Sequence, residues 1–188
     1  AQTIEDGKEY FVDARLAPLA KERDLTIPAL VEAARRDKAL ATKVVEALCI
    51  HETSWYRDAR AFEALRPVLG DIAKAKSMQR SVSIWSAACS TGQEPYTLAM
   101  LASEHPALTG FRVNITATDI SNVALERARA GSYSQLEIGR GLPASALVKW
   151  FDRTGASWNA KADLRSKVMF RQLNHGQTPY PPLGAPFD

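Results

Sequence analysis

The stretch from Val82 to Ala130 constrains this chain more than any other. Val82 and Ile84 alternate with serines and give a short strand that ends near Trp85. A run of small residues follows, Ser86-Ala87-Ala88-Cys89-Ser90-Thr91-Gly92, and Pro95 then sits where a helix starts, with Leu98, Ala99, Leu101 and Ala102 on its buried side. A second alternating strand, Val113, Ile115 and Ala117, leads to Asp119, and another helix is expected over 123–130. Strand, small-residue loop, helix, strand, acidic residue and helix in this order open a nucleotide-binding α/β sheet.

The flanks read differently. Thr26 can cap a helix with Pro28 in its first turn and Leu30, Val31 and Ala34 on its apolar face. Asp37 can cap the next, where Leu40, Val44, Ala47 and Leu48 recur at helical spacing. Residues 1–50 are therefore expected to form a small all-helical domain. Residues 51–80 read as a linker and a helix over about 62–78, and residues 81–188 as the α/β domain. The turn-rich Gly139-Arg140-Gly141-Leu142-Pro143 interrupts the alternation, so 134–166 is expected to be an inserted subdomain. Val168-Met169-Phe170 then resumes the core and runs into Leu173-Asn174.

Composition narrows the function. A net charge of +3 with no basic stripe among the first fifty residues argues against nucleic acid; Arg35, Arg36 and Lys38 fit a solvated helix end. The only two cysteines, Cys49 and Cys89, lie far apart and carry no zinc-type spacing, so no metal is expected and a reducing cytoplasm fits. No apolar run approaches the roughly 20 residues that span a bilayer, so no membrane insertion is expected.

Three groups of residues can carry chemistry. Small side chains in the 86–92 loop, Ala88 and Gly92 among them, let backbone approach a ligand, though such a loop can equally be a tight turn. Asp119, at a strand's carboxyl end, suits a pair of ribose hydroxyls or the cap of the next helix. Glu94 lies where a helix dipole favours a carboxylate and where a cationic cofactor would also be met. In His51-Glu52-Thr53-Ser54-Trp55-Tyr56-Arg57-Asp58, Arg57 offers a planar fork for a carboxylate, or packs on its aromatic neighbours.

Glu52-Thr53-Ser54-Trp55-Tyr56-Arg57-Asp58 resembles the N-E-T-x-F-F-R-D segment of CheR-type receptor glutamate methyltransferases. Ser86 to Tyr96 resembles their W-S-A-x-x-S-T-G-E-E-P-Y-S loop, and Ala117-Thr118-Asp119-Ile120-Ser121 their A-T-D-I-x stretch. Ala128-Arg129-Ala130-Gly131-Ser132-Tyr133 and Phe170-Arg171-Gln172-Leu173-Asn174 are similar to theirs too, all in family order. The resemblance implies a class I, Rossmann-like methyltransferase domain with a helical N-terminal domain and an inserted β-subdomain. It implies S-adenosylmethionine as cofactor, with S-adenosylhomocysteine as product. Thr53, Arg57, Glu94, Asp119 and Asn174 match family cofactor-site residues: Asp119 at the ribose, Glu94 near the methionine part, Asn174 by the adenine and Arg57 also in catalysis. His51 stands where the family usually has asparagine, and His175 where leucine is common; both imidazoles can still donate hydrogen bonds to the cofactor.

By the same resemblance, the substrate is a glutamate side chain of a methyl-accepting chemotaxis receptor, and the enzyme is cytoplasmic with recruitment to membrane receptor clusters. Within the insertion, the segment around Gly139 to Trp158 is expected to project, to dock a receptor C-terminal tail, and to be removable without loss of cofactor binding. Family members continue past Asp188 into further strands and an R-N-V-x-I-Y-F segment. The chain is therefore expected to be a fragment, lacking the C-terminal part of the sheet and inactive alone. The competing functions are a non-catalytic cofactor- or partner-binding module and a methyltransferase with another substrate. Arg57, Glu94 and Asp119 together favour the glutamate methyltransferase.

Overall fold

A computed structural model describes residues 7–177, 179–183 and 186–188 of the chain. These divide into two compact units, Ala1–Ile50 and His51–Asp188.

The first unit holds helices α1 (Glu9–Lys21), α2 (Ile27–Arg36) and α3 (Lys38–Leu48). Thr26 caps α2 by accepting from the Ala29 N–H, and Asp37 caps α3 by accepting from Ala39 and Leu40. Leu16, Ala20, Leu30, Ala34 and Leu40 form its core. Val31, expected on the buried stripe, stays 38% exposed, because Leu30 and Ala34 already fill the face of α2 that meets its neighbours.

The second unit begins with an extended stretch and α4 (Ala59–Ala75), capped by Asp58. The chain then alternates: β1 (Ser81–Ala87), α5 (Gln93–Glu104), β2 (Arg112–Asp119) and α6 (Asn122–Ala130). After these come β3 (Ser132–Ser134), α7 (Gln135–Gly139), α8 (Ala144–Trp150), β4 (Phe151–Thr154), β5 (Ser157–Ala160), α9 (Ala162–Arg165) and β6 (Val168–Gln172).

Two sheets result. The first has strand order β1-β2-β6, parallel throughout, with Ala87 opposite Thr118 and Asp119 opposite Gln172 at the carboxyl edge. The second, β3-β5-β4, is antiparallel. Parallel neighbours need crossovers, which α5 and α6 supply; the second sheet lies on the crossover between α6 and β6. On the far edge of β1, the Asp188 N–H donates to Ser83 O (2.9 Å) and its Oδ2 accepts from the Ser83 N–H (3.0 Å).

Helix α5 explains how the layers join. Every residue from Pro95 to Ala102 is buried, so this helix has no solvent stripe. Tyr96, Leu98, Ala99 and Met100 share one core with Ile115 of the parallel sheet and with Tyr133, Ile138, Ala146, Phe151, Ala160 and Leu164 of the 132–165 segment. The insertion is therefore packed into the main core on its inner face, and it covers α5.

Candidate cofactor site

The loop between β1 and α5 has an unusual backbone. Ala88 (φ 56°), Ser90 (φ 49°) and Gly92 (φ 95°) all take left-handed conformations, and the two non-glycines do so at a cost of roughly 1–2 kcal/mol each. Hydrogen bonds to the end of β2 hold them there. The Cys89 N–H donates to Thr118 O (2.9 Å), and the Ser90 N–H donates to Asp119 Oδ2 (2.8 Å). The other Asp119 oxygen, Oδ1, accepts from the Ser121 N–H (2.9 Å), and Ser121 Oγ in turn caps α6 by accepting from Ala124 (3.0 Å). Asp119 is thus not the helix cap itself. It is a buried carboxylate tying the β1–α5 loop to the residue that caps α6.

Gly92 is required by packing. A Cβ there would lie 2.9 Å from Ala128 Cβ and 3.1 Å from the Tyr133 hydroxyl, so its bare α-carbon is what lets the loop rest on α6. Two residues further on, Glu94 is exposed in the first turn of α5, and Glu94 Oε1 accepts from Ser86 Oγ (2.7 Å). The Cys89 thiol faces the interior. Burial first, and the Asp119 charge second, push it up to about 12, so it stays protonated and inert at neutral pH.

A cavity of about 600 Å³ opens in front of this loop. One wall is the extended segment before α4, with Glu52, Thr53, Ser54, Arg57 and Asp58. Another is α4 itself, with Ala61, Phe62 and Leu65, and the back is Ala88, Cys89, Glu94 and Leu98. Arg57 is exposed, and its Nη1 donates to Glu52 O (2.9 Å), which pins one terminal nitrogen and leaves the Nε–Nη2 edge without a partner among the described residues. The segment is anchored by Trp55, 1% exposed, whose ring makes edge contacts with Tyr133 (4.9 Å) and Phe151 (5.4 Å).

Of the residues singled out from sequence, Thr53, Arg57, Ala88 and Glu94 line this one cavity. Gly92 and Asp119 are absent from its lining: both brace the loop from behind. His51 Nε2 lies 3.5 Å from Ser121 Oγ, on the α6 side of Asp119. His175 stacks on Trp85 (5.7 Å, 26°) with Nε2 3.3 Å from Thr118 Oγ1, while Asn174 accepts the Gly176 N–H in its own turn (2.9 Å). These three residues therefore flank the carboxyl ends of β2 and β6 instead of entering the cavity. Sequence reading passed over Ser86, which bonds Glu94, and Glu52, Phe62 and Leu98 in the walls. Ser86 had a signal, its place at the strand's end ahead of a carboxylate in the first turn of α5, and Glu52 had its place in the polar cluster; Phe62 and Leu98 had none.

The donor set suits a cationic ligand beside an anionic reactant. Glu94 presents an anion for the cationic centre, Ala88 a side chain short enough for close approach, and Arg57 a guanidinium edge for the reactant's carboxylate. Among the described residues the Ser90 hydroxyl is buried without a hydrogen-bond partner, on the residue whose N–H meets Asp119. That unmet demand sits where a ribose would be expected. The residues present fit S-adenosylmethionine.

Comparison with known proteins agrees. The family model described as "CheR methyltransferase, SAM binding domain" matches residues 51–188. "Chemotaxis protein methyltransferase 1" of Pseudomonas aeruginosa is 40% identical over 176 residues, 89% of this chain and 64% of that protein. "Chemotaxis protein methyltransferase Cher2" of Pseudomonas putida is 36% identical over 180 residues, 90% of this chain and 64% of that protein. "Chemotaxis protein methyltransferase" of Vibrio parahaemolyticus is 37% identical over 177 residues, 90% and 63%. The chain thus spans just under two thirds of the length of the curated relatives it matches. With the cavity's donor set, these matches show that the chain belongs to the CheR methyltransferase family, and that its second unit is that family's S-adenosylmethionine-binding domain.

Proposed function

We propose that the protein transfers a methyl group to glutamate side-chain carboxylates of a chemotaxis receptor. The observation that carries this reading is the meeting of Arg57 and Glu94 in the lining of one cavity, a guanidinium with its Nε–Nη2 edge unpaired and a carboxylate. The names of the relatives support the receptor as substrate.

When bound, S-adenosylmethionine supplies a methyl already activated by the neighbouring sulfonium charge. The protein's share is then placement. A glutamate carboxylate, with an ordinary pKa of about 4.3, is anionic at neutral pH and needs no general base. Arg57 orients that carboxylate through its open fork, and Glu94 orients the cofactor's cationic portion. Asp119 and Ser90 hold the loop against which the ribose rests. Phe62, Leu65 and Leu98 give the cavity an apolar flank that keeps water away from the reacting carboxylate. His51, Asn174 and His175 bind at the adenine and ribose side, along the ends of β2 and β6.

The β3-β5-β4 sheet docks a receptor tail in this reading. Leu136 and Val148, 78% and 77% exposed beside it, are apolar positions for that contact. In this reading the enzyme reaches its receptors by such docking, at receptor clusters in the cytoplasm; no helix among the described residues is long and apolar enough to cross a membrane.

The test is a radiolabelled methyl-transfer assay with the full-length protein and receptor-bearing membranes. Base-labile incorporation into receptor, abolished by Glu→Gln changes in the receptor, is expected. Incorporation that survives alkali, or goes to nucleic acid, overturns the reading.

A further inference from the structure

A second cavity, of about 660 Å³, lies behind the Tyr56–Arg57 step. Its walls include Tyr56, Arg66, Glu104, Ser145 and Lys149. None of these lines the first cavity, yet the two share a thin partition. Tyr56 and Arg57 are adjacent in sequence, and the Tyr56 ring meets Phe62, a wall residue of the first cavity, edge-on at 5.6 Å. The partition is also strained: Tyr56 takes φ 49°, a left-handed conformation that bulky residues seldom adopt. That twist helps send two successive side chains into two different cavities.

The charges of this second cavity do not cancel. Glu104 Oε1 is held by Trp150 Nε1 (2.9 Å) and Lys149 Nζ (3.1 Å). Burial would raise the Glu104 carboxyl, but those two hydrogen bonds, with the Lys149 and Arg66 charges, outweigh it and keep it below its ordinary value. Arg66 lies within electrostatic reach of Glu104 but makes no ion pair or hydrogen bond among the described residues, so one carboxylate faces two cations and the cavity keeps a net positive charge. Burial first, then the Glu104 charge, raise the Tyr56 phenol, which therefore stays a protonated donor at neutral pH. An open guanidinium with a phenol donor beside it, in a cavity that also presents the Ser145 hydroxyl, is a receptor for a carboxylate.

We propose that this cavity is a substrate subsite, binding a second carboxylate of the acidic protein segment whose first carboxylate Arg57 orients. The inference rests on the methyl-transfer reading above. The spacing suits it: two acidic side chains one helical turn apart are separated by about 5.4 Å along the axis, comparable to a wall one residue thick. Arg66 would then select acceptor glutamates that have an acidic neighbour.

The experiment uses the full-length protein with two receptor peptides, one native and one whose acidic residues within four positions of the acceptor are changed to Gln. For the wild type, the native peptide should show the lower KM by about tenfold. Arg66→Ala should raise KM for the native peptide by about tenfold and erase the difference between peptides. Tyr56→Phe should do so more weakly. Affinity for S-adenosylhomocysteine should stay within twofold in each variant, and Lys74→Ala, on the same helix but outside the cavity, should change nothing. If wild-type protein methylates both peptides equally, or Arg66→Ala still discriminates, the subsite is overturned while the enzyme reading stands. If no protein carboxylate is methylated at all, the enzyme reading falls and takes the subsite with it.

Discussion

A methyl group on Gly141 would collide with the backbone carbonyl oxygen of Trp55. The insertion and the cofactor cavity are joined at this point, since the Trp55 N–H also donates to Arg140 O (3.1 Å) and its ring is wedged against Tyr133 and Phe151. Two residues from Trp55 on either side stand Thr53 and Arg57. Gly141→Ala combines a left-handed backbone (φ 100°) with a backbone clash, and should destabilise the domain by about 2–4 kcal/mol. Thermal melting checks this. Calorimetry should show S-adenosylhomocysteine binding weakened in step, and unchanged stability with full binding would contradict the coupling.

The same packing reverses an expectation drawn from sequence. Deleting residues 139–158 looked harmless to the cofactor site if the segment merely projected. In the structure it supplies Ala146 and Phe151 to the core around α5 and seats Trp55. The deletion should therefore abolish cofactor binding, read by calorimetry on the purified variant. Retained binding would mean that the 52–58 segment holds its shape alone.

Asp119 makes two hydrogen bonds to backbone N–H groups, from Ser90 and Ser121. Asp119→Ala should weaken S-adenosylhomocysteine binding by roughly 1.5–3 kcal/mol, the range for hydrogen bonds to charged groups, through the freed loop as much as through lost ligand contacts. Asp119→Asn, which keeps only one acceptor atom, should recover part of the loss. Equal affinity in all three proteins would make Asp119 structural only.

Alkaline pH should unfold the domain early. Cys89 is held protonated by burial and then by Asp119, from an ordinary 9.0 up to about 12, and burial raises the Tyr133 phenol as well. Above pH 9 the unfolded chain releases the thiol proton while the folded one keeps it. Stability is thus level below the ordinary thiol value and falls as pH climbs from about 9 toward 12. Urea melts at pH 7, 9 and 10.5 should show this decline, and Cys89→Ala should flatten part of it. A thiol reagent at pH 8 should leave Cys89 unmodified until the protein unfolds.

The sequence made the sheet readable because period-two strands, a small-residue loop and an acid at a strand's end are local signals. Thr26 and Asp37 were legible as caps for the same reason. Trp55 was not: it sits in a polar stretch, and only tertiary contact with Tyr133 and Phe151 shows it to be a core residue. In the sequence Gly92 suggests clearance for a ligand, whereas its missing Cβ clears Ala128, more than thirty-five residues away. The β3-β5-β4 sheet is built from strands of only three and four residues, too short for an alternation to register.

The most direct test is Arg57, whose open fork in the first cavity is assigned the acceptor carboxylate. In the full-length protein, methyl transfer to receptor and affinity for S-adenosylhomocysteine should be measured side by side for wild type, Arg57→Ala and Arg57→Lys. Arg57→Ala should lower kcat by about a hundredfold, worth ~2.7 kcal/mol of transition-state stabilisation, with cofactor affinity changed far less. Arg57→Lys should restore little, because an ammonium has no planar fork. Wild-type turnover from Arg57→Ala, or a loss of cofactor binding as large as the loss of rate, would contradict the account.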